Sequence, residues 1–426
     1  MAKSSIISGF YKLPPKERLV IIKDLAGLSE EEARLLENTG SLTMDVADHM
    51  VENVIGVFPE PLGLGVNFQI NGKDYLIPMA TEEPSVIAAA SYAAKMVREG
   101  GGFHTSSTAP LMIGQIQIVK LKDTEAAKKK VLDAKAALLK KANDQDPVLN
   151  SFGGGAKDLD AKIIDTTMGQ MLIVELYVDC RDAMGANAVN TMAEAVAPVL
   201  EDMTGGHVYL RIISNLATKR LAKAWCTVPK ESLGGEAVVD GIAYASAFGA
   251  ADPYRAATHN KGAMNGIIAV VLATGNDHRA VEAGAHAYAA LKGPYTSISK
   301  WNKNSKGDLE GVIELPMAVG LIGGAVKTHP IARISMKILN VKSANEFAEV
   351  LAAVGLAQNL AALRALANEG IQRGHMSLHA RNIAITAGAK DEMVDLVAER
   401  MVRERKVRVD RAKEILEELT KKVGSL

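Results

Sequence analysis

The chain reads as an α+β protein: a large mixed unit that carries a compact inserted domain and ends in helices. Three observations predict this. Residues from about 110 to 215 follow the order βαββαβ, the split pattern of ferredoxin-like domains. Mixed strand and helix patterns flank that block on both sides. From about residue 375 the periodicity is helical alone, closing in the charged stretch Arg403–Lys422.

Taken in order, an amphipathic helix is expected over Pro84–Glu99, with Pro84 in its first turn and Gly100, Gly101 and Gly102 ending it. Ile113–Leu121 alternates apolar and polar residues as a strand does, and Asp123–Ala142 is an alanine- and lysine-rich helix. Strands follow near Ala161–Asp165 and Met171–Asp179, then a helix over Gly185–Met203 and a strand over His207–Ile213. Further helices are expected over Asp277–Lys292 and Asn345–Asn368. Gly388 and the change of charge around it mark the C-terminal segment as a mobile unit.

Composition excludes several classes. At 426 residues, 48% hydrophobic and 23% charged, the chain can bury a sizeable core. Lys+Arg and Asp+Glu both number 49, so no global positive field collects nucleic acid, and no basic–aromatic interleaving does so locally. Cys180 and Cys226 are the only cysteines, which rules out a disulfide framework and a CxxC metal site and fits a reducing cytosol. The N-terminus lacks the apolar core of a signal peptide, and no stretch approaches the roughly 20 apolar residues of a membrane span. A soluble, cytoplasmic protein without membrane or nucleic-acid partners is expected.

The most informative segment is Asp252–Asp277. It crowds Arg255, His259, Asn260, Lys261 and Asn265 against the apolar run Ile267–Ala273. A lysine held at the edge of a core is partly desolvated, and such an ammonium stabilises oxyanions that form during a reaction. The plainer reading is a helix start with solvated charges. Asp182–Asn187 (DAMGAN) follows a strand and opens a helix, where free N–H groups attract a phosphate and Gly185 permits close approach; an ordinary capped helix is the alternative. Glu82 and Glu83 stand before Pro84 and Ser85 at another helix start, where acids serve the helix dipole unless they face Lys261. His375 and His379 would share a helix face, but no third ligand accompanies them, so a metal is not expected. Gly63-Leu64-Gly65 lacks the third glycine of a dinucleotide fingerprint, and Gly320–Thr328 has Val326 where a P-loop needs glycine.

Together these segments closely resemble the second class of 3-hydroxy-3-methylglutaryl-coenzyme A reductases, the soluble bacterial and archaeal kind. ENVIG (Glu52–Gly56), PMATEEPS (Pro78–Ser85), DAMGAN, DPYRAATHNKG (Asp252–Gly262), TGND (Thr274–Asp277) and GHMSLHARN (Gly374–Asn382) occur in the family's order along nearly the whole chain. The resemblance implies residues 1–109 and 216–374 as a large domain for the acyl-CoA substrate, 110–215 as a small NAD(P)-binding domain, and 375–426 as a flap. It implies Glu83, Lys261, Asp277 and His375 as catalytic residues. Ser85, Asn215, Arg255 and Asn265 would bind substrate, with Arg255 on its carboxylate. Asp182, Met184, Gly185, Ala186 and Asn187 would bind the nucleotide. Asp146 matches the family position that meets the adenine ribose. It implies NAD(H) as the preferred cofactor, because a carboxylate repels a 2′-phosphate; NADP(H) is the alternative if Lys140 and Lys141 turn inward. No metal is implied. The reaction would be the four-electron interconversion of hydroxymethylglutaryl-CoA and mevalonate plus coenzyme A, in isoprenoid biosynthesis or its reverse. The assembly would be a homodimer or larger homo-oligomer with the active site at the subunit interface and ENVIG in the contact. The rivals are an acyl-transfer enzyme, which needs an activated nucleophile, and a non-catalytic nucleotide- or acyl-CoA-binding protein.

Overall fold

The alternating segment near residue 115 becomes an inner strand, Leu111–Val119, of a four-stranded antiparallel sheet. Its neighbours are Gly169–Asp179 on one side and His207–Ser214 on the other, and Gly155–Thr166 forms the far edge. In chain order the strands lie second, third, first, fourth, as the split βαββαβ order requires. The structure is a computed structural model that describes residues 4–369 and 380–423. Helices Thr124–Asp133, Lys135–Asn143 and Ala186–Thr204 cover one face of this sheet. Val131, Leu138, Val189, Met192 and Leu200 there pack on Ile116, Ile118, Leu172, Val174 and Leu176.

Two details differ from the expectation. The edge strand begins at Gly155, well before Ala161, because a register shift between Ala156 and Asp158 interrupts the alternation that would have signalled it. The long helix expected over Asp123–Ala142 is broken at Ala134, and nothing in the local sequence accounts for the break.

A second four-stranded sheet runs His104–Ser107, Leu221–Val228, Leu309–Pro316, Ser299–Lys303, and the hairpin Leu62–Ile70/Lys73–Ala80 stands beside it. Helices Val86–Glu99, Pro253–Ala273 and Ala344–Arg364 pack with these strands around Phe68, Met79, Val97, Ile267, Trp301, Phe347 and Leu351. Val86–Glu99 starts after Pro84, because Ser85 adopts a left-handed φ of 77° that the helix cannot include. The segment Ala344–Ala367 is long and apolar enough to cross a membrane, contrary to the sequence reading. Burial of 67% of its apolar window inside the protein makes it a core helix.

Helices near the N-terminus, including Pro15–Ala26, bring Ile22 and Leu28 to Phe10, Val66, Ile334 and Ile338. At the other end, residues 380–386 and helices Glu392–Glu404 and Val409–Val423 are helical as expected. Their buried residues, among them Ala380, Ala384, Val397, Met401 and Ile415, form a cluster of their own.

Candidate active site

The Pro253–Ala273 helix sorts the crowded polar residues by face. Asp252 caps it, accepting the Arg255 N–H at 2.7 Å, and Pro253 supplies a ready-made first turn. His259 and Asn260 point inward. His259 Nε2 lies 2.7 Å from Ser299 Oγ, while Asn260 donates to Tyr295 OH and Thr296 O, each at 2.9 Å, and accepts from Ile298 N. These two tie the helix to the adjoining sheet. Burial first, and the Arg255 charge second, push the His259 imidazole down to about 4, so it is neutral.

Lys261 and Asn265, one turn apart, share the opposite face. Both reach Glu83: Lys261 Nζ donates to Glu83 Oε2 at 2.8 Å and Asn265 Nδ2 to the same oxygen at 3.4 Å. Glu83 sits in the turn between strand Lys73–Ala80 and helix Val86–Glu99, where its N–H donates to Thr81 Oγ1 at 3.2 Å. Ser85, next in the turn, holds a buried Oγ without a hydrogen-bond partner and makes no helix cap. A strained, unsatisfied serine beside an ion pair is a feature that ligand sites retain.

The lysine is not desolvated, contrary to the sequence reading. Its side chain is 60% exposed and that of Glu83 36%, because both lie on the outer face of the helix and turn. At that exposure the pair contributes about 0–1 kcal/mol to stability. Its value is positional: a cation, a carboxyl group and an amide converge on an open surface.

Other expected residues lie elsewhere. Asp277 caps helix His278–Ala289, accepting from Arg279 N and Ala280 N at 3.1 Å, with the Arg279 guanidinium 3.3 Å away. It is not bonded to Lys261. Ala273 lies twelve helical steps after Lys261, about 18 Å along the axis, and the turn leading to Asp277 closes on that end, with Asn276 N–H donating to Val271 O. Arg255, six residues before Lys261, projects about 240° round the helix and does not join the Glu83 group. Asn215 is exposed, and its carbonyl packs on Gly284 of the helix that Asp277 caps. His375 lies outside the described residues, as does His379.

The DAMGAN turn forms the second convergence. Gly185 takes a φ of 112°, and a Cβ there would stand 2.4 Å from Cys180 Sγ, so both conformation and space demand glycine. The helix Ala186–Thr204 starts without a side-chain cap and without an acid in its first turn. Its N–H groups are left free, with Asn187 exposed beside them. Asp182 is engaged: its Oδ1 accepts from Ala344 N at 2.8 Å and its carbonyl from Leu321 N at 2.8 Å. Met184 and Ala186, the remaining expected contacts, are half-buried in the turn. Asp146 caps the short helix Pro147–Ser151, accepting from Leu149 N at 2.8 Å. The loop that follows reaches the same end of the sheet, where Arg181 donates to Gly153 O. Lys140 and Lys141 are exposed in the last turn of the preceding helix.

Sequence reasoning missed two residues of this second group. Asn276 Oδ1 accepts from Gly320 N at 2.8 Å, and the Arg220 guanidinium donates to the carbonyls of Ala183, Met184 and Val319. A lone arginine before a strand carries no motif, so only the folded chain reveals it. Among the described residues no cluster of three or more histidine, cysteine or acidic side chains could hold a metal.

Comparison with known proteins gives a consistent result. The family model for hydroxymethylglutaryl-coenzyme A reductase matches residues 14–380. The 3-hydroxy-3-methylglutaryl-coenzyme A reductase of Archaeoglobus fulgidus is 61% identical over 418 residues, 98% of this chain and 95% of that one. A Streptococcus pneumoniae reductase of the same name superposes with a TM-score of 0.83 at 42% identity, covering 97% of this chain and 99% of the other. A class II enzyme from that organism, bound to NADPH in open conformations, gives 0.81 at 42% identity, with 96% and 100% covered.

Proposed function

The chain belongs to the second class of the hydroxymethylglutaryl-coenzyme A reductase family, and on that premise we propose that it interconverts hydroxymethylglutaryl-CoA and mevalonate plus coenzyme A with two NAD(P)H. One observation carries the assignment to residues: Lys261 Nζ meets Glu83 Oε2 at 2.8 Å across 178 positions of sequence. The dihydronicotinamide, when bound, supplies each hydride. Lys261 stabilises the negative charge that each addition places on the substrate oxygen, and Glu83 hands on a proton through the shared contact. Ser85 and Asn265 flank this pair and orient the acyl group. His375 protonates the departing coenzyme A thiolate, and the C-terminal flap, residues 375–426, closes over the large domain to exclude water.

The small domain, residues 110–215, suits the nucleotide. The uncapped start of helix Ala186–Thr204 and the side-chain-free Gly185 leave N–H groups for a pyrophosphate. Asp146 keeps one carboxylate oxygen beyond its cap bond for the adenine ribose, which favours NAD(H). The NADPH-bound relative supports NADP(H) as the alternative.

The active unit is a pair of copies. In one chain Asp277 adjoins the turn proposed for the nucleotide, through Asn276 and Gly320, and makes no bond to Lys261. A second copy brings Asp277 to Lys261, and its nucleotide with it. Ile55 within the ENVIG segment, Phe58 just after it, and Tyr244, Phe248 and Tyr254, around the start of the Lys261 helix, are exposed apolar surface for that contact.

An acyl-transfer reading needs an activated nucleophile, for which the two cysteines are the candidates. Burial pushes the Cys180 thiol up to about 12 and raises Cys226 as well, which counts against it. A purely binding protein has no need of the Glu83–Lys261 pair. The test follows nicotinamide absorbance and free thiol together with hydroxymethylglutaryl-CoA as substrate. Two nicotinamides oxidised per thiol released supports the reductase; thiol release without oxidation would contradict it.

A further inference from the structure

We propose that Arg220 is the positioning residue that shapes the nucleotide turn and joins it to the loop bearing Asp277. The inference rests on the reading of that turn as the nucleotide site. Arg220 precedes strand Leu221–Val228 and is 4% exposed. Its backbone is held on both sides: its N–H donates to Ala217 O at 2.9 Å, and its carbonyl accepts from Met317 N at 3.0 Å.

The guanidinium bonds to no carboxylate among the described residues. Nη1 donates to Ala183 O at 3.0 Å and Met184 O at 2.9 Å, and Nη2 donates to Val319 O at 2.6 Å. Asp179 and Asp182 add only longer-range attraction, and burial lowers the guanidinium pKa. A buried cation spent on three carbonyls is a costly way to hold loops together, so its effect on their geometry is the reason to look further.

That effect follows from the peptide group. Trans peptides are planar, with the C=O and the next N–H pointing opposite ways. Drawing the Ala183 and Met184 carbonyls to Arg220 turns the N–H groups of Met184 and Gly185 away from it. The Gly185 N–H has no protein acceptor among the described residues, whereas Met184 adjoins the parallel bridge between Ala183 and Ile322. A Cβ on Gly320 would stand 2.6 Å from Met184 N, so the turn packs directly on the Gly320 backbone. The Gly185 donor extends the free N–H groups of the Ala186 helix start into one concave array for an anion. The second arm of the fork acts through Val319: the next residue, Gly320, donates to Asn276 Oδ1 at 2.8 Å, and Asn276 precedes Asp277. Arg220 therefore sets nucleotide affinity and aligns the nucleotide with the loop of Asp277.

Arg220→Lys keeps the charge but cannot fork to three oxygens. In the full-length enzyme it should raise KM for NAD(P)H about tenfold or more and leave KM for hydroxymethylglutaryl-CoA within about twofold. In Arg220→Ala, millimolar guanidinium ion should restore part of the lost NAD(P)H binding, read by nicotinamide fluorescence. Should the alanine variant not fold, the lysine variant carries the test. Equal KM values for wild type and Arg220→Lys would overturn the proposal, as would equal rises for both substrates. A wild type without saturable NAD(P)H binding would overturn the nucleotide reading and this one with it. A wild type that binds, beside a lysine variant that binds as well, overturns the role of Arg220 alone.

Discussion

The Asp182–Asn187 turn, proposed for the nucleotide, and the Lys261 surface are built in opposite ways. The turn is complete within one chain: Arg220, Asp182 and Asn276 clamp it from below, and Gly185 admits no other residue. The Lys261 surface is open and half made, with Lys261, Asn265 and Glu83 gathered and Asp277 and Arg255 facing elsewhere. A buried network can hold a shape by itself, whereas an exposed ion pair of about 0–1 kcal/mol needs something laid over it. On the proposed reading, the reductive chemistry belongs to an assembly of two copies, and the nucleotide grip to a single fold.

The largest expected effect is on the open surface. Lys261→Ala should lower turnover about a hundred- to a thousandfold while acyl-CoA binding persists, measured by steady-state kinetics and by direct titration. Turnover within about tenfold of wild type would remove Lys261 from the oxyanion role. His375→Ala comes next. It should slow thioester reduction about a hundredfold but reduction of added mevaldehyde far less, since only the first step releases a thiolate. Equal losses would make His375 a general binding residue.

Asp146→Ala probes the closed region. It should narrow the gap between NAD(H) and NADP(H) severalfold, chiefly by improving NADP(H) use, because a carboxylate repels a 2′-phosphate. A wild type that already prefers NADPH would contradict the role given to Asp146 and leave the reductase reading standing.

The smallest effect concerns the scaffold under Lys261. His259 is held neutral by burial, so its folded pKa of about 4 lies below the ordinary 6.5. The unfolded chain then binds the extra proton, and stability rises with pH from about 4 to 6.5 and is lost as pH falls through that window. The difference corresponds to about 3 kcal/mol at most. Urea melts of His259→Gln should have a flatter pH profile than wild type over that window. An unchanged slope would assign the acid sensitivity to other groups.

How legible this was differs between the two regions as well. DAMGAN announced a strand, a turn and a helix start in one local stretch, and the structure has that arrangement with Gly185 at its centre. The helix carrying Lys261 was equally plain from its cap and apolar run. What the sequence could not say is which polar residue faces where. His259 and Asn260 turned inward, and Lys261 met Glu83 from 178 positions away. Local periodicity carries no information at that range. The start of strand Gly155–Thr166 was hidden by a bulge, whereas the helix expected over Asn345–Asn368 is present as Ala344–Arg364.

Mixing two inactive variants tests most directly whether two copies complete each active site. Lys261→Ala and Asp277→Ala, unfolded and refolded together in equal amounts, form mixed pairs in which one site has both residues intact and the other lacks both. If Asp277 serves the Lys261 of a second copy, random pairing should restore about a quarter of wild-type activity. If Asp277 acts within its own chain, the mixture should stay as inactive as either variant alone, and the two-copy account would be wrong.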